Sequence, residues 1–315
     1  MLHEIANTYG TPVWVYDAAL IRQRIRDLKQ FDIIRFAQKA CSNIHILSLM
    51  RDMGVMVDAV SKGEIERALI AGFRNDQIVF TADLMDRDTL EFVSRNDITI
   101  NAGSIDMLDQ VGELHKGHKV WIRINPGFGH GHSQKANTGG ETSKHGIWHT
   151  DVQAAIEAIR NHGLNLVGVH MHIGSGADYD HLSQVCEAMI DLICREKLDV
   201  DAISAGGGLS VPYKHEEVPI DPAHYFMLWD SARKKIEEAL GHPVKLEIEP
   251  GRYLVAESGK LITEVRAVKK MGSLHYVLVD AGFTELVRPA MYGSYHEMTT
   301  MTGRGRKLRG TRFCR

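Results

Sequence analysis

Lys39 follows the apolar run Ile33-Ile34-Arg35-Phe36-Ala37 with only Gln38 between them. Taken alone, a lysine there reads as a surface side chain whose stem snorkels along apolar neighbours. Desolvated, the same amine can form a Schiff base with a carbonyl. Three other groups sit in comparable places. Gly206-Gly207-Gly208 follows the run ending at Ala205, and is either a plain turn or a close-approach loop whose amides can cradle a phosphate. His170 and His172 alternate, so they share a strand face, and Gly174-Ser175-Gly176 follows them. Glu247 and Glu249 alternate before Pro250-Gly251-Arg252. His172 alone is equally a satisfied core histidine, and Glu249 a buried ion-pair partner. Asp58, Ser61, Arg123 and Asn125 also stand where apolar runs end.

Short β-branched runs alternate with amphipathic stretches along most of the chain, which predicts repeated strand–helix units and a parallel sheet. Strands are expected at 33–37, 55–60, 77–81, 98–101, 119–125, 166–173, 200–205, 244–248 and 276–280. A helix is expected from Asn43 to Met53, with Ile44, Leu47 and Met50 on one face. Gly63 to Ala71 forms another, stopped by Gly72. Thr150 and Gln153 suggest a capping box, with Gly163 as the stop. Asp221-Pro222 and Gly241 bracket a further helix. About eight units fit a closed (β/α)₈ barrel, whose chemistry gathers at the carboxyl ends of the strands. An open doubly wound sheet is the rival, but no G-x-G-x-x-G follows the first strand. Lysine, histidine, carboxylate and glycine loop, all at strand ends, suggest pyridoxal phosphate. The lysine would hold its aldehyde, and the glycine amides with Arg252 would neutralise its phosphate. A flat histidine ring would stack on it. A carboxylate would keep the ring nitrogen protonated, making an electron sink.

Composition excludes several classes. The 315 residues carry 37 basic and 40 acidic side chains, a formal charge of −3. With 44% apolar residues this is an ordinary globular mix, not a disordered chain or a basic nucleic-acid binder. Cys41, Cys186, Cys194 and Cys314 form no C-x-x-C pair and read as free thiols of a reducing compartment. The first residues do not resemble a signal peptide, and no apolar run is long enough to span a membrane. A cytoplasmic protein without membrane or nucleic-acid partners is expected. Residues 303–315 hold six basic residues and no acid, leaving 31 basic against 40 acidic elsewhere. That tail reads as solvated and disordered. Gly129-His130-Gly131-His132, with His145 and His149, is too loosely spaced for a zinc site, so no metal is expected.

Five ordered motifs carry a resemblance. Phe36-Ala37-Gln38-Lys39-Ala40, His170-Met171-His172-Ile173-Gly174-Ser175-Gly176, Ala205-Gly206-Gly207-Gly208 and Glu249-Pro250-Gly251-Arg252 resemble the fold-type III pyridoxal-phosphate decarboxylases. Arg288-Pro289-Ala290-Met291-Tyr292-Gly293 narrows the likeness to the enterobacterial branch of the diaminopimelate decarboxylase family, across roughly residues 10 to 296. The resemblance implies decarboxylation of meso-2,6-diaminopimelate to L-lysine and CO₂ on pyridoxal 5'-phosphate, in a homodimer. It implies that Lys39 binds the cofactor covalently, His172 stacks on it and Glu249 pairs with its ring nitrogen. Ser175, Gly206, Gly207, Gly208, Pro250, Gly251 and Arg252 are implied around the cofactor, and Arg252, Arg288 and Tyr292 at the substrate. Residues 1–30 are expected to join a β-domain, 31–275 to form the barrel and 276–296 to begin that β-domain. The family's C-E-x-G-D motif and late tyrosine do not occur in these residues, and impaired activity is expected from that. An ornithine- or arginine-type decarboxylase and a non-catalytic cofactor-binding remnant are the alternatives.

Overall fold

The computed structural model describes residues 1–129, 138–172, 174, 179–301 and 311–314, the last four by backbone alone. The chain divides into two compact units. The first comprises Met1–Asp17, Val211–Pro219 and Ala256–Arg315, and the second Ala18–Ser210 and Ile220–Val255.

The first unit opens with α1 (Leu2–Tyr9) and β1 (Val13–Tyr16). The second begins at α2 (Ala18–Arg26) and then repeats one pattern. Its elements are β2 (Ile33–Ala37), α3 (Ile44–Asp52), β3 (Met56–Ala59), α4 (Lys62–Ile70), β4 (Ile78–Ala82), α5 (Arg87–Arg95), β5 (Thr99–Ala102), α6 (Ile105–Leu114) and β6 (Lys119–Asn125). They continue with β7 (Ile147–Trp148), α7 (Val152–His162), β8 (Asn165–Met171), α8 (Tyr179–Glu196), β9 (Ala202–Ser204), α9 (Pro222–Leu240), β10 (Lys245–Ile248) and α10 (Arg252–Val255). Each strand pairs in parallel with its neighbour in the order β5-β4-β3-β2-β10-β9-β8-β6, and β6 pairs back with β5. That return closes an eight-stranded (β/α)₈ barrel, with β7 added beside β6.

Both faces of a barrel strand are covered, so its sequence is continuously apolar instead of alternating. In β6 every residue after Lys119 is buried, including Trp121, Ile122 and Ile124. Helix starts are fixed by side chains that accept the free amides of the first turn. Asn43 accepts from His45 and Ile46, Ser61 from Glu64, Asp86 from Thr89, Ser104 from Met107 and Asp221 from Ala223. Gly163 and Gly241 end α7 and α9 in the left-handed conformation. Two local expectations fail. Thr150 and Gln153 form no capping box, because the Thr150 hydroxyl bonds Asp151 and the Gln153 amide bonds Glu196. Ile44 is exposed at the start of α3, and Ile46 takes its place beside the fully buried Leu47 and Met50.

The barrel interior holds a compensated ion pair. Arg35 on β2 donates through Nε and Nη2 to Glu247 Oε2 on β10, at 3.0 and 2.8 Å, with both side chains buried.

The remaining strands belong to the first unit. β11 (Gly259–Ile262) pairs antiparallel with β1. β12 (Val265–Met271) and β13 (Leu274–Val279) form a hairpin, and the backbone of β14 (Thr311–Cys314) lies parallel to β13. α11 (Arg288–Tyr292) follows β13 in the chain.

Candidate active site

The carboxyl-terminal ends of the barrel strands converge the predicted groups. Lys39 sits in a single 3₁₀ turn, Gln38–Ala40, immediately after β2. The segment after β10 packs against that turn. Ala37 N donates to Pro250 O at 3.1 Å, and a Cβ on Gly251 would lie 3.2 Å from the Cβ atoms of both Ala37 and Ala40. A side chain at position 251 would crowd the lysine turn, so glycine lets Glu249-Pro250-Gly251-Arg252 lie close to it. Lys39 itself is exposed, which corrects the picture of a desolvated amine. Its charge nevertheless acts on Asp58, Glu64 and His172.

The glycine loop runs directly from β9. Glu249 N donates to Gly206 O at 2.7 Å, and a Cβ on Gly207 would lie 2.5 Å from Glu249 O. A Cβ on Gly208 would lie 2.4 Å from Gly174 O and 3.5 Å from His172 Cε1. Gly206 and Gly208 also have positive φ, at 62° and 98°, values that disfavour any side chain. The glycines thus bring His172 and Glu249 to opposite sides of one loop.

Glu249 is the most strongly determined side chain of the site. Ser204 donates to its Oε1 at 2.7 Å, and His170 Nε2 lies 3.0 Å from its Oε2. Burial alone would raise its pKa. The His170 charge and hydrogen bond, the Ser204 hydroxyl and Arg35 outweigh that and hold the carboxyl far below the usual carboxylate range. Glu249 is therefore ionised at neutral pH. His172 is driven the other way: burial, followed by the charges of Arg123 and Lys39, pushes it well below the ordinary imidazole value, so the ring is neutral.

Residues not singled out for the site complete it. Asp58, at the end of β3, is buried, and its carboxyl is pushed up to about 7 by burial and by the nearby Glu249. Arg123 on β6 is buried among Asp83, Glu249 and Asp58, and burial lowers its pKa. Asp83 pairs with His145, so that histidine faces a carboxylate. Ser204 had no local signal, and only its bond to Glu249, from the neighbouring strand, reveals what it does. Ser175, His130 and His132 lie outside the described residues.

Arg288 and Tyr292 open and close α11 in the first unit. The Arg288 guanidinium lies 4.6 Å from the Tyr213 ring centroid, and its Nη1 donates to His296 Nε2 at 3.2 Å. Burial and Arg288 keep His296 below its ordinary value, so it accepts that bond as a neutral ring.

The model of the "Pyridoxal-dependent decarboxylase, pyridoxal binding domain" family matches residues 18–256. The diaminopimelate decarboxylase of Escherichia coli K12 is 64% identical over 304 residues, covering 95% of this chain and 72% of the relative. The chain belongs to the diaminopimelate decarboxylase family. The Streptomyces coelicolor member is 60% identical over 304 residues, covering 95% of this chain and 69% of the relative. A crystal structure of diaminopimelate decarboxylase superposes with a TM-score of 0.95 at 61% identity, covering 99% of this chain and 76% of that one. The Helicobacter pylori enzyme complexed with L-lysine gives 0.86 at 31% identity, covering 96% and 78%.

The barrel mouth fits this family's pyridoxal cofactor on its own chemistry. Asp58 Oδ1, Asn101 Oδ1 and His170 Nδ1 are buried without a hydrogen-bonding partner among the described residues. Such atoms are rare in a barrel core and call for a polar ligand. The ionised Glu249, the neutral His172 and the glycine loop supply the three kinds of contact that a protonated ring nitrogen, a flat ring and a phosphate require.

Proposed function

We propose that this chain removes CO₂ from meso-2,6-diaminopimelate to give L-lysine, using the residues gathered at the carboxyl-terminal rim. The family relatives support the reaction, and the Helicobacter pylori member is complexed with L-lysine, its product in this scheme. The observation that carries the site is Glu249, kept ionised by His170 and Ser204 beside the glycine loop.

Lys39 would supply the amine that holds the cofactor's aldehyde. Glu249 would keep a proton on the ring nitrogen, and neutral His172 would pack on the ring. Gly206, Gly207, Gly208, Ser175 and the Pro250-Gly251-Arg252 end of its motif cradle the phosphate. Pyridoxal phosphate, when bound, supplies an electron sink for the pair left at Cα. Arg252, Arg288 and Tyr292 orient the substrate, with Arg288 reading the distal carboxylate. The bond between Cα and the scissile carboxylate breaks, CO₂ leaves, and a proton is delivered to Cα. A fixed arginine at position 288 repels the terminal cation of ornithine or arginine, which favours a substrate ending in a carboxylate. We also infer a homodimer, in keeping with the apolar surface of the first unit, in a cytoplasmic setting.

The test is turnover by the purified 315-residue chain with added cofactor. Meso-diaminopimelate should yield CO₂ and L-lysine in equal amounts, and Lys39→Ala should lose the activity by at least about 10³-fold. Preference for ornithine, or cofactor binding without CO₂ release, would overturn the reading.

A further inference from the structure

Asp97, His115 and His118 form the one cluster of three metal-capable side chains among the described residues, with one ligand atom from each lying within 4.8 Å of the others. They come from separate places in the chain. Asp97 lies between α5 and β5, His115 caps the end of α6, and His118 directly precedes β6. β5 and β6 are hydrogen-bonded neighbours. The cluster therefore sits on the amino-terminal rim of the barrel, opposite the strand ends that carry Lys39 and Glu249.

The hydrogen bonds fix the tautomers. His118 Nε2 is 2.9 Å from Ile98 O, and a carbonyl can only accept, so Nε2 carries the hydrogen. The ring is buried, and with its hydrogen on Nε2 its Nδ1 presents a lone pair to the cluster. That nitrogen lies 3.2 Å from His115 Nδ1 and 3.8 Å from Asp97 Oδ1. Donation of the far N–H to a backbone carbonyl is how metal-bound histidines are commonly oriented. Two ligand atoms at tetrahedral angles on zinc lie about 3.3 Å apart, and the two distances bracket that value.

We propose that Asp97, His115 and His118 bind a divalent transition-metal ion of the zinc class, with water completing the shell. Two imidazoles and a carboxylate are ligands of that class. His115 Nδ1 donates to Ser94 O at 3.1 Å and so carries a proton. On coordination through Nδ1 the hydrogen of that nitrogen moves to Nε2. The ion ties the α5–β5 junction to the α6–β6 junction. It lies on the rim away from the chemistry, so its role is structural.

The test compares the chelator-treated holoenzyme with Asp97→Asn and His115→Gln, leaving buried His118 in place. Asparagine suits position 97, where φ is +50°, because it tolerates the left-handed region. Zn²⁺ is titrated by calorimetry, Co²⁺ by visible absorption, and melting is followed with and without Zn²⁺. The wild type should bind one equivalent of zinc about ten-fold or more tighter than either variant. Zinc should raise its melting temperature and not theirs, and only the wild type should give the intense bands of four-coordinate cobalt. Decarboxylation should be the same in all three. Equal zinc stoichiometry, affinity and thermal shift in the three proteins would overturn the site and leave a hydrogen-bonded histidine pair.

Discussion

Two buried carboxylates near one another, Glu249 and Asp58, are driven in opposite directions. Ser204 and His170 bond Glu249, so its charge is stabilised, whereas Asp58 keeps one oxygen unpartnered and feels the charge of Glu249. This divergence assigns the fixed negative charge to Glu249. Glu249→Gln should lower kcat by about 10²–10³-fold with little change in KM, because its charge is needed most as electrons flow toward the ring. Steady-state kinetics at saturating cofactor checks this, and a pure KM effect would contradict it. Asp58 gives a stability prediction. Its folded pKa, about 7, lies above its ordinary value of 3.8. The unfolded chain therefore releases this proton first, and the carboxyl lowers stability progressively as pH rises from about 4 to 7. Asp58→Asn removes that slope. Urea unfolding of the cofactor-free chain should show the variant gaining on the wild type between pH 4 and 8, by up to a few kcal/mol. A difference that does not vary with pH would refute the assignment.

At the level of elements, the site depends on how closely strand ends approach. Gly207 has an ordinary φ, so Gly207→Ala tests steric approach alone: its Cβ would meet Glu249 O at 2.5 Å. It should weaken cofactor binding about ten-fold or more, measured by absorbance titration. Gly63→Ala in α4 meets nothing within 4 Å and should leave binding unchanged while stabilising by up to about 1 kcal/mol. The strands were largely legible because they are short, continuous β-branched runs, and 33–37 and 119–125 match β2 and β6 to the residue. Lys39, the glycine loop and Glu249 were legible because each interrupts such a run with chemistry. What stayed hidden depends on distant partners. Gln153 bonds Glu196, 43 residues away, so its capping box is lost. Ser204 and Arg123 acquire meaning only from residues distant in sequence, Glu249 for the first and Glu249 with Asp58 for the second. Asp97, His115 and His118 share no local motif, and only the pairing of β5 with β6 brings their loops together.

At the scale of the molecule, the two units expose different surfaces. The barrel covers its apolar strands with helices on every side, as a closed parallel sheet must. In the first unit, β12 leaves Val265, Val268 and Met271 54%, 63% and 62% exposed, and Phe283, Val287 and Met291 are about half exposed or more. Exposed apolar side chains gathered in one unit point to a contact face or an aggregation hazard. A second copy is the occupant that the homodimer proposal supplies. Sedimentation at micromolar concentration should then give about twice the 35.2 kDa chain mass. Val268→Lys places a charge on that exposed strand and should shift the protein to monomer, because an unpaired charge at an interface core is strongly unfavourable. Ile70→Lys makes the same change at an exposed position on barrel helix α4 and should leave the dimer intact. A wild type that sediments as a monomer, or a Val268→Lys variant as dimeric as the wild type, would show that this strand is not where the copies meet.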